Sequence, residues 1–310
     1  MPYLQQLGAC VPATRTTVGD LREQLGLTES QVRLYVKFLG LDRIAVADDL
    51  ELADLLVTAG RAALGDSDPG DVRWLLHTHT LHLVAPTQPV LDQVRERLGL
   101  VNASAFAVSH LDCVAGLHAV GLAGQLLAGA DPAARVLVTA GEKVISPRLR
   151  VIPGMSIMGE AAAACLVGTG PGGDEVLAVR TRTLGQFYRG HDAPPDVRAT
   201  YRKRYAELLC AVLRDAVDRA GVAPADLAAI LPHNVNRVSW RQVAEHLDYP
   251  LDRVFLDNLP RLGHCFGADP FINLLDARVL GRVRPGDVVA LASAGLAGTF
   301  GVVVLRLGDR

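Results

Sequence analysis

Residues 261–271 read RLGHCFGADPF, a stretch that places a histidine, a cysteine and an aspartate within the short span from His264 to Asp269. A histidine can remove a proton from a thiol, a hydroxyl or an amine, and a neighbouring carboxylate can fix its tautomer. Local spacing does not identify the nucleophile, because Cys265 and a cysteine elsewhere in the chain are both candidates. The remainder of the sequence has to decide between them.

Overall composition limits the classes of protein to which this chain can belong. Of its 310 residues, 50% are hydrophobic, which is ample for a large buried core. Lysine and arginine number 31 against 33 aspartates and glutamates, so no basic field predicts nucleic-acid binding. We recognise no signal peptide, and the five cysteines include no C-x-x-C pair. A cytoplasmic protein with reduced thiols is therefore expected.

One long uncharged run, VVALASAGLAGTFGVVVL at 288–305, has to be compared with a membrane span. A spanning helix needs about 20 strongly apolar residues. This run contains Gly295, Gly298 and Gly301, and β-branched residues occupy both of its ends. The pattern favours a strand, a tight small-residue turn and a second strand, so no association with a membrane is expected.

Strands and helices alternate along the chain, which predicts an α/β protein with buried sheets. RVLVTAGE at 135–142 is a predicted strand, whereas residues 198–221 have the apolar spacing of a long helix. EAAAACLVG at 160–168 fits either a buried strand or a short helix. A glycine-rich junction follows it, and similar strand pairs on its two sides suggest two like halves, 1–168 and 169–310.

Two further stretches carry reactive side chains beside predicted strand ends. Cys113 lies between a predicted strand and a small-residue helix, where the helix N-terminus would favour a thiolate; a small core residue is the alternative. His233 and Asn236, in LPHNVNRVSW, follow a strand and precede a helix, so both can face a pocket, although Asn236 can equally cap that helix. His110 can line a substrate tunnel. Asp112 should point away from Cys113 if both lie on a strand.

Four motifs occur in a characteristic order: Cys113 at a strand–helix junction, Pro-His-x-x-Asn at 232–236, Leu-Gly-His-x-x-Gly-Ala at 262–268, and a terminal glycine-rich strand pair. In this order they resemble the thiolase fold and, more closely, the ketoacyl-ACP synthase III group. The resemblance covers nearly the whole chain. It implies two similar βαβ halves in a layered α-β-α-β-α sandwich, with the nucleophile in residues 1–168 and the histidine and aspartate in residues 169–310. A homodimer that forms beside the nucleophile is also implied.

One position departs from the condensing members of that group, which carry a Cys-His-Asn set. His264 stands where those members have the asparagine. A side branch of the group instead uses Cys-His-Asp, with its histidine and aspartate five positions apart, as His264 and Asp269 are. The resemblance therefore implies Cys113 as nucleophile and His264 as base, oriented by Asp269. His233 is implied as a further catalytic histidine, and the backbone near Gly295 as part of the substrate-binding site.

Chemistry favours the acyl-transfer members of that branch. Decarboxylative carbon–carbon condensation needs two neutral hydrogen-bond donors on a thioester oxygen, whereas transfer to oxygen or nitrogen needs a base for the acceptor's proton. We expect ping-pong transfer of an acyl group from acyl-CoA or an acyl carrier protein to a small hydroxyl or amine acceptor, in secondary, polyketide-type metabolism. A starter-unit condensing enzyme and a non-catalytic partner subunit remain as alternatives. The thioester-linked donor is a substrate, and no cofactor is expected.

Two other features are expected to be structural. His77 and His79 lie on one face of a predicted strand, a spacing that metal sites use, but no cysteine or carboxylate lies near them in sequence. No metal site is therefore expected. Cys265 would follow the turn beside His264, and its expected role is packing.

Overall fold

The computed structural model describes residues 2–81 and 90–309. The strands of these segments are β1 Tyr3–Cys10, β2 Arg15–Thr17, β3 Arg43–Ala45, β4 Val72–Thr78, β5 Ser104–Val108, β6 Arg135–Glu142, β7 Val151–Ile152, β8 Ser156–Ile157, β9 Ala161–Gly168, β10 Asp174–Thr183, β11 Ala229–Pro232, β12 Val288–Ala294 and β13 Thr299–Arg306. The helices are α1 Glu29–Arg33, α2 Leu52–Leu64, α3 Val90–Arg97, α4 Ala115–Leu126, α5 Pro147–Arg150, α6 Pro195–Arg219, α7 Arg237–Leu247, α8 Leu259–Leu262 and α9 Asp269–Val279.

A large mixed sheet organises these elements, in the strand order β11-β12-β13-β10-β1-β9-β6-β4-β5. Strands up to β9 and strands from β10 onward form its two parts. A short antiparallel pairing joins the parts, with Tyr3 opposite Glu175 and Leu4 opposite Asp174. The junction between residues 168 and 169 lies at the end of β9, where the turn to β10 begins. The division of the chain into two domains there stays a prediction.

Three apolar cores define the layers around this sheet. Helices α2 and α3 pack on the outer face of the N-terminal strands, and helices α6 and α7 pack on the outer face of β12 and β13. Helices α4 and α9 lie between the two parts of the sheet and share one core with strands of both. The resulting order is α-β-α-β-α, so the predicted α/β thiolase-like sandwich is confirmed.

Burial in the folded protein decides the secondary structure of segments for which the local sequence pattern allowed two alternatives. The alanine-rich segment 161–168 is a strand, β9, although alanine favours helices. Both of its faces are buried, as expected for a strand covered by helices on each side. The apolar run 288–305 forms β12, a turn and β13, as predicted. In the segments that the structure describes, no helix has the length and apolar character needed to cross a membrane.

The loop that carries His264 is fixed to the sheet by backbone contacts. His264 N donates to Ile157 O at 3.0 Å, and Gly159 N donates to His264 O at 3.0 Å. This pairing brings the two backbones so close that a Cβ on Gly159 would lie 2.1 Å from Leu262 O. Only glycine fits such an approach, so the glycine that precedes β9 helps to set the position of the histidine.

We predict that Gly159→Ala destabilises the fold by about 1–3 kcal/mol, the usual cost of overpacking a filled site. The added methyl group would meet backbone, which cannot move aside as a flexible side chain can. Denaturant unfolding followed by circular dichroism measures the change. Gly185→Ala is the matched control, since a Cβ there meets nothing within 4 Å; equal midpoints for the two variants would contradict the packing explanation.

Candidate active site

Cys113 lies in a 3-10 turn, Asp112–Val114, immediately before helix α4. The residue is buried, and Ser293 Oγ donates to its carbonyl oxygen at 2.9 Å, which ties this turn to strand β12. The strand–helix junction expected from sequence is therefore present, with a tight turn between the two elements. The amino end of α4 stabilises negative charge near Cys113 because its first amide groups carry no intrahelical acceptor.

A continuous line of hydrogen bonds joins Cys113 to a distant part of the chain. Cys113 Sγ lies 3.3 Å from His264 Nε2, and His264 Nδ1 lies 2.5 Å from Asp269 Oδ2. Both histidine and aspartate are almost completely buried. Burial opposes charge on the imidazole, but the negative charges of Cys113 Sγ and Asp269 outweigh it and raise the pKa of His264 to about 10. When Cys113 is ionised, His264 is therefore an imidazolium that faces its sulfur.

Asp269 is held by several donors besides the histidine. Asn234 contributes its backbone N–H at 2.7 Å and its side-chain Nδ2 at 3.0 Å, and Cys265 N donates at 2.9 Å. Asn273, one turn further along α9, donates from Nδ2 to Asn234 Oδ1 at 3.0 Å. This carboxylate can stay charged at 0% exposure because every side of it meets a donor.

Asn234 and Asn273 are functional neighbours that sequence reasoning missed. The signal for Asn273 was its i,i+4 spacing from Asp269, which places both on one face of a helix. Asn234 directly follows His233, but nothing in the local sequence says that its side chain turns towards residues 35 positions away.

His233 shares the catalytic cavity with Cys113 and His264. Its ring centroid lies 5.4 Å from that of His264, and its Nε2 lies 3.0 Å from Tyr205 Oη. Burial, together with the charge on His264, lowers the pKa of His233 well below the usual histidine value. His233 is therefore neutral beside the charged His264.

Asn236 caps a helix in this structure, and its expected role in substrate binding stays a prediction. Its Oδ1 accepts from Ser239 N at 2.7 Å, which caps helix α7, and its Nδ2 donates to Met155 O at 3.0 Å. Both ends of the carboxamide are occupied within the protein. The capping expected of Asn236 is therefore present, whereas Asn234 is the asparagine that bonds to Asp269.

Gly295 and His110 also lie outside the cavity that contains Cys113. The amide of Gly295 donates to Thr299 O at 2.7 Å, and its carbonyl accepts from Tyr201 Oη at 2.9 Å, whereas its neighbour Leu296 lines the cavity. His110 is exposed, with a φ of 63°, and its Nδ1 lies 3.0 Å from Ser109 Oγ. The expected contacts of Gly295 and His110 with substrate stay predictions.

Asp112 does not follow the strand geometry expected of it. It belongs to the 3-10 turn, has a φ of 49°, and its Oδ2 accepts from Ala297 N at 2.7 Å. A Cβ on Gly295 would lie 2.4 Å from Asp112 Cβ, so the two turns are in direct contact. Asp112 thus holds the glycine-rich turn against the turn of the nucleophile.

Cys265 is fully buried, and its Sγ donates to Leu262 O at 3.7 Å. Burial raises the pKa of the Cys265 thiol well above its usual value, which agrees with a packing role.

His77 is likewise buried and its pKa is lowered to about 3, chiefly by burial. Its Nδ1 contacts Thr139 Oγ1 at 3.2 Å, away from the catalytic cavity. Within 2–81 and 90–309, no cluster of three or more metal-ligating side chains is found.

Two connected cavities lead to Cys113. The inner cavity has a volume of about 110 Å³, and an outer one of about 210 Å³ opens beside Arg198 and Arg202. They share walls formed by Ile152, Met155, Gly190, His191, Tyr201 and Leu296. Most of the inner lining is apolar, so an acyl chain can lie there while its carbonyl carbon reaches the sulfur.

Comparison with known proteins agrees with this geometry. The C-terminal family model of 3-oxoacyl-[acyl-carrier-protein] synthase III matches residues 217–307, which include His233, His264 and Asp269. A β-ketoacyl-[acyl-carrier-protein] synthase III of Nitratidesulfovibrio vulgaris (strain Miyazaki F) is 27% identical over 323 residues, covering 96% of each chain. The chain is a ketoacyl-ACP synthase III-like protein.

Solved structures share the synthase III-like fold over almost the full length. ChlB3, described as an acyltransferase, superimposes with a TM-score of 0.87 at 21% identity, covering 99% of this chain and 98% of its own. 3-Oxoacyl-(acyl carrier protein) synthase III, FabH, from Pseudomonas aeruginosa PAO1 gives a TM-score of 0.83 at 22% identity, with the same coverage. At these identities the likeness establishes the fold of this synthase III-like chain.

The charge on His264 should depend on the sulfur that faces it. We predict that Cys113→Ser lowers the pKa of His264 from about 10, because an uncharged hydroxyl no longer favours the imidazolium. A pH titration of the His264 imidazole by ¹H–¹⁵N NMR measures this directly. Cys265→Ser serves as the control, since that thiol is not among the charges that raise the pKa of His264. Equal pKa values of His264 in the two variants would refute the effect of Cys113 on its charge.

Proposed function

We propose that the protein is an acyltransferase that works by a ping-pong mechanism. Cys113 accepts an acyl group from acyl-CoA or an acyl carrier protein, and His264, oriented by Asp269, then delivers it to a hydroxyl or amine acceptor. The observation that carries the proposal is the unbroken line from Cys113 Sγ through His264 to Asp269, at 3.3 and 2.5 Å. We assign the reaction to secondary, polyketide-type metabolism in the cytoplasm; all five cysteines are free thiols.

In the first half-reaction, Cys113 thiolate attacks the thioester carbonyl of the donor. The tetrahedral intermediate collapses, the carbon–sulfur bond to the donor breaks, and the leaving thiolate takes the proton from His264 Nε2. The products are an acyl thioester on Cys113 and a free donor thiol. Loss of the thiolate charge leaves His264 neutral, with its Nδ1–H towards Asp269 and its Nε2 open to the cavity.

In the second half-reaction, the open Nε2 of His264 acts as the base. It takes the proton of the acceptor O–H or N–H as the oxygen or nitrogen attacks the acyl carbon. The bond to Cys113 Sγ breaks, the ester or amide leaves, and the thiolate–imidazolium pair is restored. Asp269 stabilises the imidazolium that forms and fixes the ring so that Nε2 faces the sulfur.

Negative charge on the carbonyl oxygen needs a donor in both half-reactions. In the turn after β12, the amides of Gly295, Ala297 and Gly298 already donate within the protein. For the amide of Leu296, no acceptor is found in the described part of the chain, and Leu296 lines the cavity. We therefore assign the oxyanion contact to Leu296 rather than to Gly295.

The outer cavity supports the choice of donor. Arg198 and Arg202 are exposed at its rim and can meet the phosphates of CoA or an acidic carrier protein. The cavity narrows from there into the apolar inner cavity, as a pantetheine arm with an acyl end requires. The proposed chemistry needs no cofactor, because side chains supply the nucleophile and the base.

We also propose that the protein is a homodimer. Strand β5 is last in the sheet order, and Phe106 on it is 38% exposed. An edge strand with an exposed aromatic side chain is a suitable surface for a second copy. β5 leads directly into the turn of Cys113, so such an interface would lie beside the nucleophile.

A carbon–carbon-forming starter synthase is the second candidate, since the curated relative from N. vulgaris is named a β-ketoacyl synthase III. Against it, His264 stands where the condensing members have the asparagine that donates to the thioester oxygen, and it is paired with the carboxylate of Asp269. A non-catalytic partner subunit is the third candidate. A complete nucleophile–base–carboxylate line argues against that role, because a subunit without chemistry has no need of one.

Mass spectrometry of the Cys113 peptide separates these candidates. We expect incubation with a panel of acyl-CoAs to add an acyl mass to Cys113, and hydroxyl or amine acceptors to remove it. Loss of the mark only with malonyl carrier protein, with release of carbon dioxide, would identify a condensing enzyme. No acylation by any donor would identify a non-catalytic subunit.

We predict that Asp269→Asn lowers acyl transfer by about 10²–10⁴-fold, the usual contribution of an oriented general base. Acylation of Cys113 should continue, because the thiolate is still the attacking group. Single-turnover transfer from the acylated protein measures the loss.

Asp276→Asn is the matched control for Asp269→Asn. Its carboxylate accepts from Asn258 Nδ2 at 2.8 Å, at the far end of the same hydrogen-bond network, and does not contact His264. Transfer at the parental rate in Asp269→Asn, or an equal loss in the control, would show that the assigned role is wrong.

A further inference from the structure

The tautomer of His233 follows from its two ring contacts. Nδ1 lies 3.4 Å from Ala292 O, and a carbonyl oxygen can only accept, so the proton is on Nδ1. A neutral imidazole carries one N–H, and His233 is neutral because burial lowers its pKa well below the usual value. Nε2 is therefore a bare lone pair, and it accepts from Tyr205 Oη at 3.0 Å.

Tyr205 adds to this preference, although a phenol can accept as well as donate, because no acceptor for its O–H other than His233 Nε2 is found in the described residues. Its contact of 3.0 Å is of normal hydrogen-bond length, whereas the contact to Ala292 is long. Burial raises the pKa of Tyr205 well above its usual value, so the phenol keeps the proton that it donates. Tyr205 lies on α6 and lines the catalytic cavity together with His233.

We propose that Tyr205 is a positioning residue that determines the specificity of the reaction, by holding His233 in the tautomer without an Nε2–H. His233 then has no proton to donate to the carbonyl oxygen of an incoming malonyl thioester. This inference rests on the proposed acyl transfer, because it concerns which second substrate the acylated protein accepts.

The consequence appears once Cys113 is acylated. Decarboxylation of a malonyl thioester breaks its bond to carbon dioxide and leaves an enolate oxygen, which needs N–H donors. His233 offers a lone pair occupied by Tyr205, and neutral His264 carries its proton on Nδ1, towards Asp269. Neither imidazole presents an N–H to the enolate. Transfer to oxygen or nitrogen needs only the open Nε2 of His264, so it is favoured.

The tautomer can be measured without any substrate. In protein labelled with ¹⁵N-histidine, long-range ¹H–¹⁵N spectra distinguish a protonated from a bare ring nitrogen. We expect His233 to show a protonated Nδ1 and a bare Nε2, and the Nε2 resonance to move in Tyr205→Phe. Tyr249→Phe is the matched control: it removes a buried phenol that is bonded to Leu227 O rather than to His233 and that lines neither cavity.

Malonyl-CoA is the probe for the second readout. Tyr205→Phe allows His233 to place its proton on Nε2, so release of carbon dioxide from malonyl-CoA should rise about tenfold, the effect of about one hydrogen bond. The control variant should stay at the parental level. A protonated Nε2 in the unaltered protein overturns the proposal even if a variant fails to fold. Unchanged carbon dioxide release in a folded Tyr205→Phe protein also overturns it.

These outcomes differ from a failure of the proposed function. The NMR measurement requires neither acylation nor transfer, so a bare Nε2 can be found even in a protein that no acyl-CoA modifies. Conversely, acyl transfer can proceed in a protein whose His233 carries its proton on Nε2, in which case only the role of Tyr205 is wrong.

Discussion

The buried carboxylate of Asp269 is the constraint on which the catalytic arrangement depends. A charged group at 0% exposure is stable only when donors surround it, and Asp269 meets this need with the backbone and side chain of Asn234, the backbone of Cys265 and the ring of His264. These donors come from the loop after β11 and from the loop before α9. The solvation of one charge thus fixes the relative position of two loops and orients the imidazole towards the nucleophile.

A charge balance links this network to the reaction cycle. When Cys113 is ionised, its sulfur and the carboxylate of Asp269 lie on either side of one imidazolium, and burial strengthens their effect on it. In the proposed mechanism, acylation of Cys113 would remove one of the two negative charges, so the proton affinity of His264 would change at the step that needs a base. His233, only 5.4 Å away between ring centroids, stays neutral because a second buried cation beside His264 would be costly.

Much of the fold could be predicted from sequence because periodicity and small-residue turns report directly on burial. The strand–turn–strand at 288–305 agrees with prediction. The strand β9 could not be decided, since its alanines favour a helix locally and only the helices on both faces of the sheet override that preference. Asp112 was misplaced for a similar reason: its left-handed turn conformation depends on a contact with Ala297, far away in sequence.

The residue types of the catalytic line, and the five-residue spacing of His264 and Asp269, are properties of the sequence. Which asparagine serves the carboxylate is not. Asn234 and Asn236 lie two positions apart in one loop, and the first turns towards Asp269 while the second caps a helix. Likewise, only the fold places Tyr205 against His233. Sequence determines which groups are available, but their hydrogen-bond partners follow from the packing of elements that the chain separates by tens of residues, and no local pattern encodes those distances.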